Sequence, residues 1–296
     1  MTSRAGPARV PPWGMALASM FSVQLGSALS VHLIATVGPA GTAWLRITAG
    51  ALIFVAWSRP PLRSVRKGDL APLLALGIMN GLATAAFMAA IARIPLGTTV
   101  AIEFLGPMTV AAVRGQGKKA LAWPALALVG VVALTQPWQG RMNLPGIGFA
   151  AFAGVGWGAY VLFTQSIGDR FDGVAGLSLT MPIAAVASAV IGIPEAAGHI
   201  ELNVLATAVG LAVLFPVLPY ALEMHALRHM THNAFGTLMA LEPAFGTILG
   251  LIVLHQQPTL VEVAGVLLVV LAGAAAQRDG LRHPPAADQR LVAPAE

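Results

Sequence analysis

The sequence predicts an all-α membrane protein of ten transmembrane helices, an inverted 5+5 repeat with both termini cytoplasmic, and three observations carry that expectation. The first is solvent preference: 57% of residues are hydrophobic against 10% charged, and the mean hydropathy is +0.78, a balance that soluble domains do not have. The second is charge placement. With the N-terminus inside, 14 of the 17 Lys and Arg fall in cytoplasmic segments, as the positive-inside rule requires. The third is spacing. Arg93 and Arg228 are 135 residues apart, Gly130 and Gly265 also 135, and Pro107 and Pro243 136, with Leu105-Gly106-Pro107 answered by Leu241-Glu242-Pro243. An odd number of helices per copy makes the second copy enter the membrane from the opposite face.

Taken in order, the apolar spans are 13–37, 40–57, 70–92, 97–113, 120–136, 145–168, 173–193, 203–227, 233–254 and 259–276. Most approach the roughly 20 residues that cross a bilayer at about 1.5 Å each. The first is too long for a signal peptide and is polar near its end, at Gln24, Ser27, Ser30 and His32, so it is expected to be retained. Residues 1–139 form the expected first repeat, 140–277 the second, and 278–296 a Pro-, Ala- and Arg-rich cytoplasmic tail expected to be disordered. The basic residues follow topology, so the pI near 10.4 does not imply a nucleic-acid partner. With no cysteine, thiol catalysis and thiolate metal sites are excluded. No Walker loop, dinucleotide fingerprint or HExxH helix appears, so neither a cofactor nor an enzyme is expected.

Candidate site residues are the polar groups that lipid would penalise. Glu103 lies four residues before Pro107, and a proline in a helix leaves the carbonyl four residues back without its N–H. One spot thus carries a carboxylate and an unpaired backbone oxygen, and it must face a protein interior or a water-filled cavity. Arg46 lies about 7 Å inside the outer end of its span and Glu103 about 9 Å, a common depth. Arg46 can snorkel to headgroups, neutralise Glu103, or share with it the two ends of a zwitterionic amino acid. Glu242 lies near the midplane, where an unpartnered carboxylate costs most, and Glu223 nearer the cytoplasm, where Arg228 is an alternative partner. With Glu103 they descend as a proton relay would, so Glu242 and Glu223 are the proton-coupling candidates. Gln24, Asn80, Trp157, Tyr220 and Gln165 complete the polar set; each could equally make a helix-to-helix hydrogen bond. Asp69 and Glu262 read as interfacial. His225, His229 and His232 lack an acid or thiolate beside them and do not read as a metal site.

The strings TAWLRITAG, IMNG, PLGTTVAIEFLGP, GWGAYVLFTQ, LPYALEMHAL and FGTLMALEPA run in this order over nearly the whole chain. In them the chain resembles the threonine/homoserine exporter group of the EamA family, in the drug/metabolite transporter superfamily. The resemblance implies a ten-helix inverted-repeat secondary transporter that exports small metabolites from the bacterial cytoplasm across the inner membrane. It favours Arg46 and Glu103 as a substrate pair. A drug-like cation or a nucleotide sugar is the alternative cargo, and a membrane-embedded enzyme or partner subunit would need hydrophilic loops that this chain lacks. Where many members have a Gly-Glu pair after the ninth helix, this chain reads Leu254-His255-Gln256-Gln257.

Overall fold

Gly38 sets how the chain begins. Helix α1, Pro12–Ser58, is a 47-residue hydrogen-bonded run broken at Gly38 (φ 74°, ψ 167°), which Pro39 follows. The positive φ suits glycine, and a methyl group there would also lie 2.3 Å from Cδ of Glu195. The two arms fold back on each other, because Arg46 Nη1 donates to Ser30 Oγ at 2.7 Å although the residues are 16 apart. On a straight helix that separation is about 24 Å. Glu195, from the end of another helix, accepts hydrogen bonds from the Ala40 and Gly41 N–H groups and so caps the second arm.

The computed structural model describes residues 11–59, 62–114, 122–140, 142–168, 173–227, 229–230 and 232–279. After α1 come α2 (Lys67–Ile91), α3 (Leu96–Arg114), α4 (Ala122–Thr135), α5 (Leu144–Gly168) and α6 (Gly173–Ala196). Next are α7 (Leu202–Ala212), a π-helical stretch (Val213–Val217), α8 (Leu218–Leu227), α9 (His232–Met239), α10 (Glu242–Leu254) and α11 (Leu260–Asp279). No strand occurs among the described residues. Among the described residues six helical runs are long and apolar enough to cross a membrane, and shorter apolar helices accompany them. Leu52, Val186, Val190, Leu260 and Leu271 point outward from different helices, the surface a bilayer solvates. Trp57 and Trp138 are exposed at helix ends, where interfacial aromatics sit. The chain is an all-α, multi-pass membrane protein. The expected tail (from 280) and the basic residues Arg4, Arg9, Lys118, Lys119, Arg141, Arg170 and Arg228 lie outside the described residues, as does the side chain of Gln165.

Two spans read as single helices from the sequence are broken. Residues 203–227 divide into α7, the π turn and α8, and Phe215 leaves helical geometry altogether (φ −160°, ψ 115°). Pro216 and Pro219 remove two amide donors within one turn, and the hydrogen-bond pattern widens there. Residues 233–254 divide at Ala240–Leu241, since Pro243 cannot donate to the Met239 carbonyl. Glu242 therefore opens a helix instead of sitting ten residues inside one.

Backbones approach closely at several crossings, two of which bear on the site and on the repeat. A methyl group on Gly106 of α3 would lie 1.8 Å from the Gly154 carbonyl oxygen of α5, and one on Gly154 would lie 2.9 Å from the Glu103 carbonyl oxygen. The oxygen that Pro107 leaves without its helical donor thus packs against a glycine of the neighbouring helix. At the crossing of α4 and α11 the contacts are reciprocal. A methyl on Gly130 would meet the Gly265 oxygen at 2.7 Å, Val269 at 2.8 Å and Leu268 at 3.2 Å. One on Gly265 would meet the Gly130 oxygen at 2.7 Å, Leu134 at 3.0 Å and Ala133 at 3.2 Å. Adding 135 to 130, 133 and 134 gives 265, 268 and 269, so each set of neighbours maps onto the other.

Candidate substrate cavity

Between the first arm of α1 and helices α2, α3, α5, α6, α8 and α10 lies a cavity of about 240 Å³. That is below the roughly 300–1,000 Å³ of drug-sized ligand sites and suits a small metabolite. Its walls are built from the breaks just described. Phe215, Pro216 and Pro219 come from the irregular turn before and at the start of α8, and Glu242 from the new helix start. Discontinuous helices at a membrane-embedded cavity are a recurrent way of presenting polar groups there.

Of the nine site residues expected from the sequence, Gln165 has no described side chain, and seven of the other eight line this one volume: Gln24 from α1, Asn80 from α2, Glu103 from α3, Trp157 from α5, Tyr220 and Glu223 from α8, and Glu242. Glu223 accepts a hydrogen bond from Ser19 Oγ at 2.7 Å, which ties α8 to α1. Asn80 Nδ2 donates to Met181 Sδ at 3.8 Å, leaving its carbonyl oxygen available. Trp157 stands edge-to-face on Phe104 with centroids 5.9 Å apart, and Tyr220 likewise on Phe54 at 5.7 Å. Those contacts hold both rings without using their polar atoms. Gln24 is 2% exposed, and its Oε1 has no hydrogen-bond partner among the described residues.

Arg46, the eighth, does not reach the cavity. The residue is also 2% exposed; its guanidinium lies with Cζ 5.2 Å from the centroid of the Phe215 ring and Nη1 3.7 Å from Met88 Sδ, and its Nε has no partner among the described residues. Phe215 and Met88 themselves line the cavity and form the partition. Among the described residues Arg46 and Glu103 make no ion pair. Sharing a depth did not bring them together, because depth says nothing of the direction in which each side chain leaves its helix. The guanidinium is held instead by a hydroxyl, a thioether and a ring face.

Sequence reasoning missed Ser19 and Phe215. Nothing local marks Ser19, whose partner is 204 residues away. Phe215 had an indirect signal in Pro216 and Pro219, which announce irregular backbone. His225 and His229 stack at 4.7 Å, but no group of three His, Cys, Asp or Glu able to hold a metal is found among the described residues.

The pattern of the EamA-like transporter family matches residues 144–275. Over 86% of this chain and 88% of its own length, the threonine/homoserine exporter RhtA of Salmonella typhimurium (strain LT2) is 33% identical. Its namesake in Escherichia coli (strain K12) is 32% identical over 89% of this chain and 91% of its own. This chain belongs to the EamA-like transporter family. A solved structure described as "Crystal structure of protein" shares the fold, with a TM-score of 0.59 at 18% identity, covering 89% of this chain and 98% of that one. Membership makes the protein a membrane transporter and not an enzyme.

Proposed function

We propose that the protein exports small amino acids of the threonine and homoserine type across the bacterial inner membrane, by alternating access and coupled to proton entry. The observation that carries the reading is the convergence of Glu103, Glu223 and Glu242, with Gln24, Asn80 and Tyr220, on one small cavity, in a chain about one-third identical to named threonine/homoserine exporters. Three carboxylates facing a small volume, with no basic residue in its lining among the described residues, repel one another. A substrate ammonium and a proton each relieve that repulsion, so the two compete for the same groups. Competition of this kind couples export of one to entry of the other.

In this reading Gln24, Asn80, Glu103, Trp157 and Tyr220 hold the substrate, while Glu242 and Glu223 carry protons. Arg46 is the carboxylate's partner, reached when Phe215 swings aside. The moving parts are two inverted five-helix halves, residues 1–139 and 140–277, spanning ten times with both termini inside. Two observations support that division: the family pattern falls within the second half, and the neighbours of Gly130 and Gly265 exchange under an offset of 135.

The test is uptake into inside-out vesicles over a panel of labelled amino acids, with and without a pH gradient. Uptake of threonine or homoserine that rises with the gradient is the expected result. Equal uptake without it would remove protons from the mechanism. Reporters fused after Lys67, Lys119, Arg170 and Arg278 should be cytoplasmic, and those at Arg141 and His199 external.

A further inference from the structure

The groups open to the cavity are unevenly chosen. Among the described residues its lining contains no lysine, arginine or histidine, and the carboxylic acids there are Glu103, Glu223 and Glu242. Gln24 adds a second and independent sign: a side chain 2% exposed, on the cavity wall, whose Oε1 accepts from nothing among the described residues. Leaving such an acceptor buried and unpaired is costly, and a donor-bearing ligand removes the cost. Arg46, the cation nearest it among the residues described above, is shut behind Phe215 and Met88.

We infer that the cavity also takes as substrates small ammonium compounds with no carboxylate, namely amino alcohols and amino-acid amides of the size of the proposed amino acids. The inference rests on the transport reading above and extends its substrate class. An ammonium group brings three N–H donors and a positive charge to a wall of acceptors. The Trp157 and Tyr220 rings add faces that tolerate a cation. The carboxylate of an amino acid finds only neutral donors on this wall, such as the Trp157 N–H and Tyr220 O–H. It meets like charges and finds a cationic donor only by displacing the Phe215 ring from Arg46. A hydroxymethyl or carboxamide group in its place is uncharged, donates to the acceptors already present, and needs no displacement.

The test uses the purified full-length protein in detergent, titrated with L-threonine, threoninol and threonine amide. Melting temperature and tryptophan fluorescence are followed with no pH gradient, so the weak bases cannot act by collapsing one. Threoninol and the amide are expected to half-saturate at or below the concentration needed for threonine. Glu103→Gln should weaken them by about tenfold or more, the scale of one charge-assisted hydrogen bond. Gln24→Met removes the acceptor and serves the same purpose if Glu103→Gln does not fold. Counterflow of labelled threoninol in proteoliposomes, above protein-free liposomes, then reads carriage. Threonine binding with no binding of either amine would overturn the inference and leave the proposed function standing. The reverse pattern would sustain the inference and take away the proposed amino-acid substrate. Binding of none of the three would overturn both, and amine binding without counterflow would overturn carriage.

Discussion

Arg46 and Glu103 stand at similar depths in the sequence reading, and the fold treats them in opposite ways. Arg46 is sealed among Ser30, Met88 and the Phe215 ring, a setting in which the protein's own hydroxyl, thioether and ring face surround the charge. Glu103 is left facing the cavity with no side-chain hydrogen bond among the described residues, and its backbone is pressed against Gly154. A membrane protein can thus keep one charge internally solvated and hold the other ready for a ligand. The difference lies in the neighbours each helix face brings, not in depth.

The largest expected effect is on the scaffold of the acidic side. In Gly106→Ala the new methyl would meet the Gly154 oxygen at 1.8 Å, so α3 and α5 must part and Glu103 must move with them. We expect a loss of at least about 3 kcal/mol, at the upper end of overpacking costs, read as a lower melting temperature and lost binding. A variant of unchanged stability would mean that the crossing yields easily and does not fix Glu103.

Next comes Glu242→Gln, expected to abolish gradient-driven export while leaving substrate exchange measurable in proteoliposomes. Full uphill export by this variant would take Glu242 out of the coupling. On the opposite side of the partition, Phe215→Ala should open Arg46 to the cavity. Threonine affinity should then rise by roughly threefold to thirtyfold, the range of the ring-to-cation attraction a carboxylate must otherwise replace, while threoninol affinity stays constant. Equal changes for both ligands would contradict the idea of a closed carboxylate half.

The smallest effect is the most direct check on the comparison. Since Arg46 and Glu103 make no ion pair among the described residues, the stability changes of Arg46→Gln and Glu103→Gln should add in the double variant to within about 0.5 kcal/mol. A coupling of several kcal/mol in thermal or denaturant unfolding would mean that the two charges meet. Recovery of transport in the double variant would say the same.

Much of this was legible because it is local. Hydropathy placed the apolar spans, and a proline four residues after an acid marked Glu103 through bond geometry alone. The same bond geometry applies at Pro243 and the Met239 carbonyl, but the break there, which makes Glu242 a helix start, emerged only in three dimensions. What was not legible depends on azimuth and on distant partners. The Ser19 hydroxyl that meets Glu223 and the Phe215 ring that covers Arg46 both come from segments remote in sequence. In an apolar stretch, one more phenylalanine carries no mark of where it will point.

The crossing of α4 and α11 has a further consequence. When residue i touches the counterpart of j, and j touches the counterpart of i, the contact has the form of an isologous interface, the kind that joins two identical subunits about a dyad. Under the proposed repeat, Gly130, Ala133 and Leu134 and their partners Gly265, Leu268 and Val269 meet in that form within one polypeptide. Each half therefore carries a surface complementary to its own kind. A single five-helix half, expressed alone and inserting in both orientations, would possess the contact needed to pair antiparallel with a second copy of itself.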